Sequence, residues 1–282
     1  MPDLSSTVAL VAGASRGVGR GVALALGEAG ATVIVTGRTL RSARRRDVPG
    51  SIDETAAEVT RLGGRGVAVQ CDHTRVEDVR ALVGGLRQRE GRLDLLVNAV
   101  WGGHESERPG RPLWEEPLAR WDATQRAGVW AALLTARFAA PLLIGTTGLV
   151  ATVAPAEPTP SPGRLYADLA AASLVQLAQG LAEDFRPHGV TSVAAAPGVV
   201  RTERVLASFE TTERRWARVP ELAGSESPRY LGRGIAALAA DPSRFVLTGQ
   251  TVHAAGLAAR YGLTDVDGTQ PGAPSGRARS TG

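Results

Sequence analysis

A glycine-rich turn near the start of the chain, GASRGVG over residues 13–19, constrains the fold more than any other feature of the sequence. It follows an apolar run, TVALVA over residues 7–12, that predicts a buried strand, and it leads into a helical pattern over 17–29. Glycines allow a tight turn and a close approach of the backbone to a phosphate, while the N–H groups at a helix N-terminus attract anions. We therefore expect this turn to hold the phosphates of a dinucleotide, with an ordinary glycine-rich strand-to-helix turn as the alternative.

The pattern of a strand followed by a helix continues along the chain. Further strands are predicted at residues 32–36, 66–70, 93–98, 148–153, 190–196 and 251–254. Helical patterns separate them, at residues 51–62, 76–90, 121–143, after Tyr166 and at 229–240. Continuous apolar strands that alternate with helices are typical of a parallel sheet covered on both faces. The sequence therefore predicts an α/β fold, a single doubly wound Rossmann-type domain whose parallel sheet carries helices on both faces.

The composition changes near the C-terminal end. We expect the domain to span residues 1–263. The remaining residues, 264–282, are rich in Gly, Pro and Ser, which predicts a flexible tail, largely disordered beyond about Gly268.

The end of the second predicted strand indicates which dinucleotide fits. An acid at this place would bind the adenosine ribose hydroxyls and repel a 2′-phosphate. Here the strand is followed by Gly37 and Arg38, and Arg16 lies in the glycine-rich turn. Two guanidinium groups can bind a phosphate through charged, often bidentate hydrogen bonds, so the pattern favours NADP(H) over NAD(H). We interpret the arginines that follow as a solvated surface cluster that adds positive potential: Arg41, Arg44, Arg45 and Arg46.

Composition argues against several other functions. The chain contains no lysine, so all 32 basic residues are arginines, and they are scattered among acids, which argues against a nucleic-acid partner. The single cysteine, Cys71, excludes a disulfide framework, and no signal-peptide pattern is present, so we expect a cytoplasmic protein. We expect no membrane partner, because no stretch of the sequence is expected to be long and apolar enough to span a bilayer. No Cys/His cluster suggests a metal site.

Five motifs, taken in their order along the chain, resemble those of the short-chain dehydrogenase/reductase family. They are GASRGVG, CDHT at 71–74, LDLLVNA at 93–99, Tyr166 and PGVVRT at 197–202. The resemblance extends from about residue 7 to about residue 262. The ending GLAARYGLTDVDG is similar to a sub-group close to the animal dehydrogenase/reductase member 1 type. The resemblance implies a Rossmann-type fold and a nicotinamide-dependent oxidoreductase.

The resemblance also implies a role for each matching residue. The cofactor phosphates would be lined by Gly13, Ser15, Arg16, Gly17, Val18 and Gly19. Asp72 would accept a hydrogen bond from the adenine amino group, with a turn cap as the alternative. Asn98 and Ala99 would lie beside the adenosine ribose. The nicotinamide and its carboxamide would be held by Pro197, Gly198, Val200 and Thr202, for which a plain turn at the first two is the alternative.

The family's catalytic set of tyrosine, lysine, serine and usually asparagine is incomplete in this chain. Tyr166 matches the tyrosine, which exchanges a proton with the substrate oxygen and lies beside the cofactor. Ala170 stands in place of the lysine, which in the family lowers the pKa of the tyrosine and holds the nicotinamide ribose. The serine position falls in VAPA at 153–156, and the asparagine position falls near Gly128. Neither place offers a polar side chain.

A tyrosine without this support can still act in one direction. A free tyrosine has a pKa of about 10, so it starts protonated and can donate to a carbonyl that receives a hydride. The loss of a tuned acid or base costs about 10²- to 10⁴-fold in rate. We therefore expect a slow NADPH-dependent reductase of a carbonyl compound, with Tyr166 as its catalytic residue. The alternative is a catalytically silent NADP(H)-binding protein that acts as a sensor, scaffold or partner subunit.

Some side chains are candidates to replace the missing groups. His104 lies in the loop after the fourth predicted strand, which borders the active site in this fold, although a solvated loop histidine is the alternative. Hydroxyl groups before Tyr166 are offered by Thr152, Thr159 and Ser161.

Tryptophans and alanine-rich helices indicate the partners. Trp101 and Trp216 are the better candidates for the wall of a bulky, apolar substrate pocket, so the expected partner is a small molecule of that kind. The segments VWAALLTARFAAPLL and LAAASLVQLAQGLA give two helices more than one apolar face. A helix that is apolar on two sides needs a second partner, so we expect a homodimer or homotetramer.

Overall fold

Seven parallel strands form one sheet in the order β3-β2-β1-β4-β5-β6-β7 in the part of the chain that the structure describes. The structure is a computed structural model, and it describes residues 1–43, 49–102, 110–155 and 162–272. The strands are β1 (Val8–Ala12), β2 (Thr32–Gly37), β3 (Arg65–Gln70), β4 (Leu95–Asn98), β5 (Leu149–Val153), β6 (Thr191–Ala196) and β7 (Thr251–His253). The order reverses between β1 and β4, and in such sheets ligands bind at the carboxyl ends of the strands beside the point of reversal.

Helices cover both faces of this sheet. They are α1 (Gly17–Glu28), α2 (Ile52–Arg61), α3 (Val76–Arg89), α4 (Leu118–Thr124), α5 (Ala131–Ile144), α6 (Leu165–Phe185), α7 (Glu203–Ser208), α8 (Pro228–Ala240) and α9 (Ala254–Tyr261). Helices α1, α2, α8 and α9 pack on one face, and α3, α5 and α6 pack on the other. The predicted doubly wound α/β fold is therefore confirmed.

Strand β1 shows why the central strands are apolar throughout. All five of its residues are buried, because successive side chains point to opposite faces and both faces are covered. Val11 enters the core on the side of α1, whereas Leu10 enters the core on the side of α3 and α5. A polar residue at either position would lie in an apolar interior, which accounts for the continuous run in the sequence.

A long helical segment corrects one expectation. Helix α4, a π-helical turn at Gln125–Trp130 and helix α5 run together from Leu118 to Ile144, and this segment has the length and composition of a membrane span. The expectation that no stretch is long and apolar enough was therefore wrong. Half of the apolar window is buried inside the domain, where α5 packs on the sheet and on α3, and a buried core helix has the same composition.

The segment after the last helix also differs from the expected flexible tail. Residues 264–272 pack against the domain: the Asp265 carboxylate is buried and accepts hydrogen bonds from Ser227, and the Tyr230 hydroxyl donates to the Pro271 carbonyl at 3.3 Å. These contacts with distant residues order a segment whose Gly- and Pro-rich composition suggests a free chain. The rest of the predicted tail, 273–282, lies outside the described residues.

Helices α1 and α8 approach each other through glycines. A Cβ atom built on Gly21 of α1 would lie 2.1 Å from the Pro228 carbonyl oxygen, and one on Gly232 of α8 would lie 2.7 Å from the Val22 Cα. Both distances are shorter than any real contact, so the two helix backbones can meet only because these side chains are absent. This contact fixes the start of α1, where the glycine-rich turn ends.

We predict that Gly21→Ala lowers the free energy of unfolding by about 2 kcal/mol, as overpacking of a tight interface does. Helix propensity alone favours alanine by up to about 1 kcal/mol, so the steric effect must exceed that gain. Gly84→Ala is the matched control, because Gly84 is exposed in α3 and its Cβ would meet nothing within 4 Å. Denaturant unfolding should show a loss for the first variant and a small gain for the second; equal gains would contradict the proposed close contact.

Candidate active site

The glycine-rich turn after β1 is shaped by contacts between backbones. Gly13 has a φ of 83°, and a Cβ on it would lie 2.7 Å from the carbonyl oxygen of Ala99, at the end of β4. A Cβ on Gly19 would lie 2.3 Å from the Gly13 carbonyl oxygen, and Gly17 has a φ of 57°. Each of these positions therefore requires glycine for a separate reason. The result is a narrow cradle between β1, β4 and the start of α1.

The first N–H group of α1 points at an acid from a distant segment. The Gly17 N–H donates a hydrogen bond of 2.9 Å to Glu203 Oε2, and Arg20 lies 3.8 Å from the other oxygen of the same carboxylate. Glu203 begins α7, directly after the PGVVRT motif. This contact ties the expected nicotinamide segment to the expected phosphate turn. The sequence carries one signal for this contact, the acid that directly follows Thr202.

Two arginines come together where β2 ends. Arg16 Nη2 donates to Thr39 Oγ1 at 3.2 Å, so its guanidinium reaches the residue after Arg38. Arg38 is exposed directly after the buried Gly37. Arg41 is paired with Glu54 at 3.8 Å, in agreement with its interpretation as a surface residue. Its neighbours Arg44, Arg45 and Arg46 lie outside the described residues.

Asp72 caps the turn after β3. Its Oδ1 accepts hydrogen bonds from the Thr74 N–H at 3.0 Å and the Thr74 hydroxyl at 2.7 Å. Burial tends to raise the pKa of this carboxyl, but the hydrogen bonds from Thr74 and the charge of Arg38 together lower it below its usual value. Oδ1 of Asp72 therefore caps the turn, as the alternative interpretation expects. Its hydrogen bond with the adenine amino group remains a prediction.

His73, beside Asp72, is part of the framework. The ring is buried between two hydroxyl groups, with Nε2 2.8 Å from Thr36 Oγ1 and Nδ1 2.8 Å from Thr135 Oγ1. Burial lowers the pKa of His73 to about 4, so the ring is neutral at physiological pH and ties β2 to α5. The geometry therefore makes His73 a structural residue.

Buried polar atoms without partners occur at the ends of β4 and β5. Asn98 and Thr152 are register partners on these adjacent strands, and both side chains are buried. Among the described residues, neither amide atom of Asn98 has a hydrogen-bond partner, nor has the Thr152 hydroxyl. Because such groups are costly to leave unpaired, a bound molecule or water is expected to satisfy them. Thr152 is therefore placed among the candidate polar groups, whereas Thr159 and Ser161 lie outside the described residues.

The expected nicotinamide segment leaves the sheet at the end of β6. Val200 forms a parallel bridge with Glu226, and Thr202 caps α7 by accepting a hydrogen bond from the Val205 N–H at 3.3 Å. The Glu226 carboxyl is buried beside Gly198, whose N–H donates to it. Burial raises the pKa of Glu226 to about 7. Glu226 therefore holds the segment at both Gly198 and Val200, contacts that the sequence did not indicate.

Tyr166 lies in the first turn of α6. Trp121 of α4 contacts its ring, and the neighbouring Arg120 holds the backbone just before α6. The Tyr166 ring meets the Trp121 ring edge to face, with centroids 5.6 Å apart. The buried Arg120 donates to the Gly163 carbonyl at 2.7 Å and pairs with Glu116 at 2.5 Å. These contacts fix where α6 begins, and with it the tyrosine.

The surroundings of Tyr166 are apolar at the places where the resemblance puts the other catalytic groups. Ala170, one turn along α6, and Ala154, just after β5, are both fully buried. Gly128 lies in the π-helical turn, and the Trp101 ring packs 3.5 Å from where its Cβ would be. Trp101 and Ala154 belong to one apolar cluster. An indole therefore occupies the space beside Gly128, and a single-residue substitution does not restore the family's pattern there.

The structure brings most of the predicted site residues to one edge of the sheet. The carboxyl ends of β1, β2, β4 and β6 carry the phosphate turn, Arg38, Asn98 and Pro197, as expected for a dinucleotide site. Tyr166 follows β5 at the same edge. His104 lies outside the described residues. Within the described ranges no group of His, Cys, Asp or Glu side chains is arranged to hold a metal.

Comparisons with known proteins agree with this arrangement. A family model described as Enoyl-(Acyl carrier protein) reductase matches residues 13–256. The mouse protein Dehydrogenase/reductase SDR family member 1 is 36% identical over 280 residues, which cover 94% of this chain and 85% of the mouse protein. The human protein of the same name is 33% identical over 282 residues, which cover 94% of this chain and 85% of that protein.

Solved structures share the fold. A putative dehydrogenase from Xanthomonas campestris superposes with a TM-score of 0.79 at 26% identity, over 95% of this chain and 94% of that chain. Together with the family model and the mouse and human relatives, this likeness covers nearly all of the described residues. The chain therefore belongs to the short-chain dehydrogenase/reductase family of oxidoreductases.

Proposed function

We propose that this protein is an NADPH-dependent reductase of a carbonyl compound, with Tyr166 as the proton donor in an otherwise apolar active site. The observation that carries the proposal is the glycine cradle at residues 13–19, which lies at the carboxyl edge of the sheet together with Tyr166. Gly13 and Gly19 bring the backbones of the turn, of β4 and of α1 into contact, so that N–H groups at the start of α1 can face the phosphates of a dinucleotide. Membership in an oxidoreductase family favours an enzyme over the silent binding protein.

The described residues fit a dinucleotide in three respects. The cradle is narrow and lined by backbone atoms, Asn98 is buried with an unpartnered amide, and the sheet edge is the expected binding edge. The glycine-rich turn would hold the phosphates, Asp72 the adenine, Asn98 and Ala99 the ribose, and residues 197–202 the nicotinamide. When bound, the reduced nicotinamide supplies a hydride.

The preference for NADPH rests on the arginines beside β2. Arg38 is exposed at the strand end, and Arg16 reaches Thr39 next to it. A 2′-phosphate placed there would accept charged hydrogen bonds from one or both. The nearby acid Glu54 pairs with Arg41, so its charge is partly compensated. The local charge at the strand end is therefore positive, which suits a phosphorylated ribose.

Tyr166 would donate its phenolic proton to the carbonyl oxygen of the substrate. Ala170 and Ala154 offer no hydrogen-bond donor from their buried side chains, and Trp101 fills the space beside Gly128. The developing alkoxide would thus receive one donor fewer than a family member with a serine supplies, and removal of one such donor commonly costs about 10²- to 10³-fold in rate. Slow reduction is therefore the expected activity.

The substrate is expected to be bulky and apolar. Trp121 and Trp101 form apolar surface on the α4 side of Tyr166, and Val199 and Phe209 expose apolar side chains near the nicotinamide segment. Trp216, the other predicted pocket residue, has one ring face covered by the Arg201 guanidinium at 3.8 Å. A polar substrate would leave these apolar surfaces wet, whereas an apolar one would bury them.

We propose a homo-oligomer formed through α4, α5 and α6. These helices expose large apolar side chains: Leu118, Trp130, Leu133, Leu165 and Leu169. Apolar side chains concentrated on adjacent helices mark an interaction surface rather than ordinary scatter. A second copy of the chain would cover them.

Arg38→Ala should reduce the preference for NADPH over NADH by about tenfold or more, because a hydrogen bond to a charged group is worth about 1.5–3 kcal/mol. Fluorescence titration with both cofactors at moderate salt measures the ratio. Arg41→Ala is the control, since Arg41 is paired with Glu54, and its ratio should stay within twofold. A wild-type protein that binds NADH as tightly as NADPH would contradict the proposed cofactor.

Tyr166→Phe should lower the rate of carbonyl reduction by at least about 10²-fold while NADPH affinity changes little, because only the proton donor is removed. Single-turnover oxidation of NADPH with a panel of apolar ketones and aldehydes measures the rate. Turnover that survives the substitution would indicate another acid, with His104 the first candidate. Firm NADPH binding without turnover on any carbonyl would favour the silent binding protein.

Leu169→Arg should convert the oligomer to a monomer, because a charge on the exposed apolar surface of α6 cannot be buried between two copies without a partner. Light scattering at micromolar concentration measures the mass. Val246→Arg is the control, since Val246 is also exposed but lies between α8 and β7. A monomeric wild-type protein, or dissociation caused by the control alone, would refute this interface.

A further inference from the structure

A fully buried charge, that of Arg201, lies within the expected nicotinamide segment. Its side chain is fully buried, because residues from three separate parts of the sequence surround it. An isolated buried guanidinium would be strongly unfavourable, so its partners must compensate it. Its neighbours in the motif, Val200 and Thr202, are the residues expected to meet the nicotinamide carboxamide.

We call the groups around this side chain the Arg201 cluster: Arg201, Glu213, Trp216, Ser225, Asp265 and Asp267. The guanidinium lies 3.1 Å from Glu213, 3.6 Å from Asp265 and 3.5 Å from Asp267. It also donates to the Ser225 carbonyl and stacks on the Trp216 ring at 3.8 Å. Acids and a carbonyl therefore surround the two terminal nitrogens and an indole covers one face of the guanidinium, while its buried Nε has no hydrogen-bond partner among the described residues.

The acids of the cluster that follow α9 carry further contacts. Asp265 is itself fully buried, and its carboxylate accepts hydrogen bonds from the Ser227 N–H at 2.7 Å and the Ser227 hydroxyl at 2.5 Å. Ser227 in turn caps α8 by accepting from the Arg229 N–H at 3.2 Å. The Asp267 carboxylate accepts hydrogen bonds from the N–H and the hydroxyl of Thr269, which stabilise the turn after Asp267. A C-terminal segment of the chain is thus bonded to the start of α8 and to the nicotinamide segment at once.

The backbone carries the same link. Arg201 N–H donates to the Glu226 carbonyl at 2.8 Å, and the Glu226 N–H donates to the Val199 carbonyl at 2.8 Å. Two backbone hydrogen bonds therefore join the segment before α8 to the nicotinamide segment. Asp265 bonds Ser227, at the end of the segment before α8, and so holds it from the other side. Movement of residues 264–267 would be transmitted to Val199 and Val200 over two hydrogen-bonded steps.

We propose that Asp265 and Asp267 are positioning residues, which hold the nicotinamide segment at residues 197–202 in its binding geometry through Arg201. The inference rests on the proposed dinucleotide site and deepens it, because it makes the C-terminal segment a working part of the nicotinamide half of that site. Among the described residues, Arg201, Asp265 and Asp267 make no hydrogen bond or ion pair with Arg38, where the adenosine 2′-phosphate is expected, and the cluster is joined to the phosphate turn indirectly, through Glu203 and the Gly17 N–H. The two halves should therefore respond differently when the cluster is weakened.

The test compares ligands that use different parts of the site. In Asp265→Asn the affinity for NADPH should fall by about tenfold, because the binding-competent arrangement of residues 197–202 becomes a minor state. The affinity for adenosine 2′-phosphate, which lacks the nicotinamide half, should stay within twofold. Asp241→Asn is the matched control, since Asp241 also bonds a C-terminal residue, Tyr261 at 2.7 Å, but lies outside the cluster. A chain that ends at Gly272 keeps every contact of the cluster and should behave as the full chain does.

A second readout needs no cofactor. Amide hydrogen exchange in the ligand-free protein should rise about tenfold at residues 199–202 in Asp265→Asn, while the amides of Gly13 and Ala14, which donate to the Thr36 carbonyl, and the amides of β1 stay protected. A rise spread over the whole domain would mean a merely structural role and would overturn the proposal. Asp267→Asn, whose carboxylate is partly exposed, carries the same test with a smaller effect if the first variant does not fold.

The outcomes separate this inference from the proposed function. If wild-type protein binds NADPH but the variant loses NADPH and adenosine 2′-phosphate affinity equally, or loses neither, the positioning role is refuted and the reductase proposal stands. If wild-type protein binds no NADPH while exchange at 199–202 rises as expected, the proposed cofactor is wrong and the mechanical link is supported. Unchanged exchange at these amides would refute the link directly.

Discussion

The contact on which the site depends is the approach of the turn after β1 to the end of β4, with no side chain between them. Gly13 lies against the Ala99 carbonyl, and Gly19 lies against Gly13. Helix α1 can start at this point only because its own glycine, Gly21, lets α8 come equally close. The sheet therefore presents a narrow, backbone-lined edge at which β1, β4 and α1 meet. Backbone N–H groups at the start of a helix suit a phosphate, and here the Glu203 carboxylate accepts the hydrogen bond of one of them, the Gly17 N–H.

Around this edge, the residues proposed to bind the cofactor differ in character from those around Tyr166. The cradle, Asp72 and the arginines beside β2 are in place, whereas Ala154, Ala170 and the indole of Trp101 occupy the region around Tyr166. This difference has a physical consequence. Hydride transfer depends mainly on positioning, which a bound cofactor supplies, while proton transfer depends on a supported acid. A chain of this kind can retain the first function and slow the second.

Local patterns predicted the fold well, and the residues predicted to bind the cofactor lie at one edge of the sheet. The glycine spacing at 13–19, the apolar strands and the order of the motifs are properties of neighbouring residues, and the structure places them as expected. The same reasoning failed where a distant partner decides the outcome. The segment 264–267 has the composition of a free tail, yet it is ordered by Arg201, which lies 64 residues before Asp265 in the sequence. The contact between Glu203 and Gly17 spans 186 residues and leaves no local trace. The helical segment over 118–144 is long and apolar enough for a membrane span, against expectation, and half of its apolar window is buried inside the domain.

The central claim is that a working dinucleotide site delivers hydride to a carbonyl with little acid assistance. The most direct measurement is a single-turnover reduction of a bulky apolar ketone or aldehyde by protein loaded with NADPH, compared with NADPH deuterated at the transferring position of nicotinamide C4. The account predicts slow oxidation of the bound NADPH that becomes slower still with the deuterated cofactor, because C–H cleavage is part of the measured step. Firm binding of NADPH with no oxidation on any carbonyl, or oxidation at the same rate with both cofactors, would contradict it.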